Sequence, residues 1–143
     1  MAADDRREPE PPPGFVPCDI ADGRFADMVG PLYVRRDAQG SCFGLRAEAR
    51  HGNVRGSVHG GMLMTLADQV LGLTVLEAVD LAPMATISLN CDFVSAAMPG
   101  DWIEGRATVV RTTRSIVFVR GTLTVREAVV LTASGIWKRL KAG

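Results

Sequence analysis

His59-Gly60-Gly61-Met62-Leu63-Met64-Thr65-Leu66-Ala67-Asp68 sets two glycines ahead of a run in which, from Met62 to Val79, 12 of 18 residues are apolar. The run predicts one long helix from about residue 60 to Val79. A helix this greasy is expected to lie buried, where ionised carboxylates are rare unless something holds them. Asp68 is therefore the residue to explain. At about 100° per residue, Gly61, Thr65, Asp68 and Gly72 share one face, with Gln69 at its margin. Leu63, Leu66, Val70, Leu73 and Leu76 occupy the other sides and are expected to plug a core. Gly72 costs a helix roughly 1 kcal/mol relative to alanine, so a close neighbour is expected there. The plainer alternative is that Asp68 bonds a buried backbone group or pairs with an arginine.

Outward from the helix, the chain reads as strands. Pro31–Arg36 and Ser41–Ala49 suit a strand pair across the turn Asp37-Ala38-Gln39-Gly40, and Phe25, Met28 and Val29 suit a short helical turn before it. A polar loop, Arg50–Val58, leads into the helix. After Asp80–Pro83, Ala85, Ile87, Leu89, Cys91 and Phe93 alternate with Thr86, Ser88, Asn90 and Asp92, the period of a half-buried strand. Met98-Pro99-Gly100-Asp101 makes a turn, and Trp102–Thr112, Ser115–Val125 and Val129–Arg139 are strand-like and rich in Val, Ile and Thr. Short links favour antiparallel pairing. The expected fold class is α+β, a curved antiparallel sheet of about six strands wrapped round one long helix.

At 143 residues with zero formal net charge, the chain is expected to form one domain, residues 15–143. No basic stripe suggests a nucleic-acid partner. Residues 1–14, rich in proline and charge, read as a disordered or extended tail and lack the apolar stretch of a signal peptide. Asp68 and Gln69 interrupt the longest greasy run, so no membrane span is expected. Cys18, Cys42 and Cys91 are widely spaced and odd in number, which suits a reducing, cytoplasmic setting rather than a disulfide framework. With only His51 and His59 available, a multi-histidine metal site within one chain is not expected.

The helix mouth carries the chemistry. The first N–H groups of a helix lack internal partners and lie at the positive end of its dipole. Glycine there lets a substrate oxygen reach the amides of Gly60 and Gly61, the makings of an oxyanion hole. A tight turn is the plainer use of the pair. His59 could be a general base, a donor or a loop residue. Asp68 lies eight residues beyond Gly60, about 12 Å along the helix axis, whereas catalytic contacts need about 2.6–3.2 Å. If both act on one substrate atom, a second copy of the chain is expected to supply one of them, through helices meeting across a two-fold axis.

Asn53, His59-Gly60-Gly61, Leu66-Ala67-Asp68, the strand Ala85–Asn90 and the turn Pro99-Gly100-Asp101 together resemble the hotdog-fold acyl-CoA thioesterases, and within them the PaaI-like, phenylacetate-pathway branch. The similarity runs from about Pro31 to Leu140. It implies hydrolysis of a thioester to free coenzyme A and a carboxylic acid, with no cofactor beyond the coenzyme A of the substrate and no metal. It implies that Asp68 is the nucleophile or general base, that the Gly60 amide polarises the carbonyl with help from Asn53, and that His59 positions the motif. Thr86 stands where relatives orient water near the carboxylate. Gly72 stands where some relatives carry a hydroxyl, which leaves that task to Thr86. Arg111, Arg114 and Ser115 match the coenzyme-contacting turn, with Gly61 beside the substrate and Lys138, Arg139 and Lys141 as weaker candidates. A homodimer is the expected minimum, from the spacing, with a homotetramer as the further expectation. Two rivals remain: an acyl-thioester hydratase or dehydratase using His59 and Asp68, and a non-catalytic acyl-CoA-binding module.

Overall fold

A computed structural model describes residues 10–19 and 24–141. In chain order the elements are strand β1 (Val16–Pro17), helix α1 (Phe25–Val29), β2 (Tyr33–Asp37), β3 (Gly40–Arg46), a single 3-10 turn (Ala49–His51), helix α2 (Gly60–Ala78), β4 (Met84–Phe93), β5 (Trp102–Thr112), β6 (Ile116–Val125) and β7 (Ala128–Arg139). All strands join one antiparallel sheet in the order β1-β2-β3-β5-β6-β7-β4. This is the hotdog architecture, one long helix held by a single sheet. The sheet has seven strands rather than six among the described residues, because Val16 and Pro17 pair with Val34 and Tyr33. Two residues are too short for an alternation signal.

The first nine residues of the expected tail lie outside the described residues. Glu10–Gly14 runs against the sheet: Arg46 Nη2 donates to the Glu10 carbonyl at 3.4 Å, and the Phe15 ring meets Trp102 edge-on at 5.0 Å.

Met62, Leu63, Leu66, Ala67, Val70, Leu71 and Val75 bury one side of α2 against β4, β5, β6 and β7. Full burial of each large side chain stabilises by about 1.5–3 kcal/mol. The helix sits close because two strands carry glycine beneath it. A Cβ on Gly105 would lie 2.6 Å from Val70 Cγ2, and one on Gly121 would lie 2.9 Å from Leu71 Cδ1. By length and composition α2 would also pass for a membrane span; its greasiness is that of the core helix of this fold.

Burial is not all round. Gly61 and Met64 are exposed, and Thr65, Asp68, Gln69, Gly72, Leu73 and Leu76 are partly so. The expectation of a carboxylate sealed inside a greasy interior is therefore corrected: Asp68 lies on the face of α2 that the sheet leaves open. Leu73 and Leu76, expected in the core, flank that same open face.

β4 follows α2 in sequence but pairs with β7 at the far end of the sheet, leaving its other edge without a strand. The link from β4 back to β5 passes the α2 entrance, where Val58 N donates to Ala97 O at 2.8 Å. It closes with Gly100 at φ +96°, a left-handed conformation that suits glycine.

Candidate active site

His59 caps α2. Its Nδ1 accepts the Gly61 N–H at 2.8 Å, and its own N–H donates to His51 O at 2.8 Å. A Cβ on Gly61 would stand 3.0 Å from His59 Nδ1 and one on Gly60 would stand 3.3 Å from Phe93 Cε1. The second glycine thus accommodates the returning imidazole, and the first accommodates the ring at the end of β4. Among the described residues the Gly60 N–H has no acceptor. It is a free donor at the positive end of a 19-residue helix.

The loop before the cap is held internally. Asn53 Oδ1 accepts from Arg55 N at 2.8 Å and Ser57 N at 3.3 Å, while Asn53 Nδ2 donates to Ser57 Oγ at 3.0 Å. The second N–H of the Asn53 amide has no acceptor among the described residues. His51, within the polar loop expected over residues 50–58, is buried and uses both nitrogens: Nδ1 accepts from Glu48 N at 2.9 Å, so Nε2 donates to Val29 O at 2.7 Å. Arg50 donates to the Met28 and Gly30 carbonyls. Together they fasten the end of α1 beside α2.

Thr86 reaches Asp68, its Oγ1 donating to Asp68 Oδ1 at 2.9 Å. Strict alternation would put Thr86 on the opposite face of β4 from Leu89, Cys91 and Phe93. A bulge decides otherwise. Thr86 pairs with Trp137 and Ser88 with Ile136, so Ile87 is the extra residue. It re-phases the strand, and Met84 and Thr86 face α2 together with Leu89, Cys91 and Phe93, while Ile87 is exposed. Burial first, then the carboxylates of Asp92 and Asp68, push the Cys91 thiol up, so it stays protonated.

Two hollows open along the stripe of α2. One, about 520 Å³, holds His59, Gly61, Met62 and Thr65 with Phe25, Met28 and Val29 of α1. The other, about 280 Å³, holds Asp68, Gln69 and Gly72 with Ala26, Met84 and Trp137. Helix α1 contributes to both. Within one chain, therefore, the free Gly60 amide and the carboxylate do not share a hollow: Gly60 lies against Phe93, and Asp68 lines the smaller hollow.

The expected coenzyme contacts also divide. Arg114 and Ser115 lie with Lys138, Arg139 and Lys141 around a basic hollow, closed by the Arg139 N–H donating to Ser115 O at 2.7 Å. Arg111 lies apart, with Asn90, Phe118 and Arg120. Sequence reasoning missed Trp137, which lies under Gly72. Gly135-Ile136-Trp137 was the available signal, since a glycine two residues from an aromatic on one strand face marks close packing.

The family model described as "Thioesterase superfamily" matches residues 55–131, more than half of the chain. The chain belongs to the thioesterase superfamily. This thioesterase is 35% identical to a Pseudomonas aeruginosa protein named "Putative esterase PA0474", over 88% of its own length and 95% of that protein's. It is 29% identical to human acyl-coenzyme A thioesterase 13, over 64% of this chain and 65% of the human one. Among solved structures, a variant of the phenylacetic acid degradation protein PaaI from Thermus thermophilus superposes with a TM-score of 0.72 at 25% identity, covering 81% of the thioesterase and 98% of that chain. Zebra fish thioesterase superfamily member 2 gives 0.76 at 25% identity, covering 84% and 90%.

Proposed function

We propose that this thioesterase hydrolyses acyl-coenzyme A, with Asp68 of one copy and the Gly60 amide of another acting on the same thioester. The observation that carries the reading is the Asp68 carboxylate, held by Thr86 at 2.9 Å in a hollow on the open face of the core helix. Asp68 takes a proton from water, the water oxygen adds to the carbonyl carbon, and the developing oxyanion accepts from the Gly60 N–H and the spare N–H of Asn53. The carbon–sulfur bond then breaks, and the sulfur leaves as free coenzyme A with the proton that Asp68 carried. Direct attack by the carboxylate would give the same products through an anhydride that water opens. Coenzyme A enters as part of the substrate, and the reading calls for no other cofactor and no metal.

Three features support a shared site. Eight residues of unbroken helix separate Gly60 from Asp68 by about 12 Å. Within one chain Asp68 lines the smaller hollow, whereas Gly60 lies outside it, against the Phe93 ring. The β4 edge, with exposed Ile87 and Phe93, has no strand beside it among the described residues. A dimer is the smallest assembly that meets this need, and a tetramer is the expected further step. Arg114, Lys138, Arg139 and Lys141, with Ser115, suit the phosphates of the coenzyme; Arg111 and Gly61 are kept as further contacts. The free thiols of Cys18, Cys42 and Cys91 support a cytoplasmic setting.

The test is thiol release from aryl-, short- and long-chain acyl-CoA by the parent protein and by Asp68→Asn. The variant is expected to lose at least ~10²-fold in kcat while still binding coenzyme A. Near-parental turnover would end the assignment of Asp68. Loss of enoyl absorbance from crotonyl-CoA without thiol release would favour the hydratase rival, and tight binding of unhydrolysed acyl-CoA by the parent would favour the binding module.

A further inference from the structure

Trp137 is the least explained side chain beside Asp68. Only 4% of it is exposed. Its ring lies along β7 over Gly135, where a Cβ would stand 2.3 Å from Trp137 Cζ3, so the indole is locked in place by the absence of a side chain beneath it. Its Nε1 edge is turned to α2, 3.5 Å from where a Cβ on Gly72 would be. Buried indole N–H groups ordinarily find an acceptor. Among the described residues Trp137 Nε1 has no protein acceptor and its edge keeps contact with solvent, whereas Trp102 Nε1 donates to Glu104 Oε1 at 3.2 Å. The hollow of about 280 Å³ that Trp137 lines with Asp68 and Gly72 is where an acceptor can stand.

Three elements converge there. Thr86 and Trp137 are direct cross-strand partners, and Thr86 holds Asp68. Gly72 is one helical turn beyond Asp68 and carries nothing that would cover the indole edge. The groups are complementary: an indole N–H only donates, and an ionised carboxylate only accepts. A water between them accepts from one and donates to the other, which leaves a lone pair for a carbonyl carbon.

Resting on the acyl-CoA hydrolysis proposed above, we propose that Trp137 Nε1, uncovered by Gly72, is a positioning donor that fixes the water from which Asp68 takes a proton. The indole does not itself titrate in the working range, so it orients the water without competing for the proton. Asp68 is then a base acting on water, and the anhydride route is disfavoured.

Trp137→Phe keeps a ring and removes the N–H. It is expected to lower kcat about three- to tenfold, the worth of one neutral hydrogen bond, with KM unchanged across two different acyl-CoA substrates. Because this variant also loses ring volume, Gly72→Ala is measured beside it. The added methyl meets the indole at ordinary contact distance and improves helix propensity. Melting temperature should hold or rise while kcat falls, a pairing that a structural role for Gly72 would not give. Parental kcat in both variants overturns the inference, as does a change in KM confined to one acyl group, which would assign the N–H to acyl recognition. A parent that releases no thiol overturns the proposed function itself, so the two failures are distinguishable.

Discussion

Thr86 Oγ1 donates to Asp68 Oδ1 at 2.9 Å, although the two residues are 18 positions apart on elements joined by a left-handed corner at Asp80 and Leu81. The contact depends on Ile87. Without that extra residue the β4 side chains nearest the corner would swing to the other face, and the carboxylate would lose its donor.

Thr86→Val retains the shape of the side chain and removes the hydroxyl. A hydrogen bond to a charged group is worth about 1.5–3 kcal/mol, so kcat is expected to fall between roughly tenfold and 10²-fold, and Thr86→Ser should recover most of it. Steady-state thiol release decides the matter. A valine variant with parental kcat would show that the hydroxyl does nothing for the carboxylate.

Gly60→Ala separates catalysis from folding. Its methyl would press on Phe93 Cε1 at 3.3 Å, but that ring is half exposed and can move aside. The same methyl stands in the approach to the free amide. Expected is a kcat loss of roughly 10²-fold, the low end for removing one oxyanion donor, with a melting temperature close to that of the parent. Thermal denaturation and kinetics on one preparation test both halves.

Arg114→Ala and Lys138→Ala should raise KM for acyl-CoA severalfold, additively and less so at high salt, because phosphate contacts are screened. Neither should affect a truncated thioester that lacks the nucleotide. Arg111→Ala, in its separate hollow, should have the smaller effect. Equal KM changes for both kinds of substrate would remove the basic hollow from coenzyme binding.

Asp37 makes a small, surface contribution to the acid sensitivity of the fold. The Arg106 guanidinium at 2.7 Å, and then the Gln39 N–H at 2.8 Å, hold its carboxyl below the ordinary value of 3.8. A group depressed in the folded state contributes stability above its unfolded value and loses it as pH falls through the folded one. Stability should therefore decline with falling pH below about 3.8, and Asp37→Asn should flatten that decline. Urea midpoints from pH 5 downwards read the slope; an unchanged slope in the variant would exclude the pair.

Much of the fold was readable because it is written locally. Greasy helical spacing marks α2, and runs of Val, Ile and Thr between Gly and Pro turns mark β5 to β7. The position of β4 beside β7 was not readable, since strand order depends on which edges the helix leaves free. The bulge at Ile87 was hidden because alternation persists on either side of it. The glycine pair and Asp68 stood out by type and spacing, yet the exposure of Asp68 depends on where the sheet stops. Gly72 announced a close neighbour without naming it, and the neighbour is an indole from 65 positions away.

Gly135, Trp137 and Gly72 are best regarded as one heritable unit. Any side chain at 135 ejects the ring, and any bulk at 72 shuts off its polar edge, so relatives are expected to exchange all three together or none. Where evolution has traded the tryptophan for something smaller, the vacated room should reappear as a residue larger than glycine at one of the other two positions, and the reacting water would then need a different host.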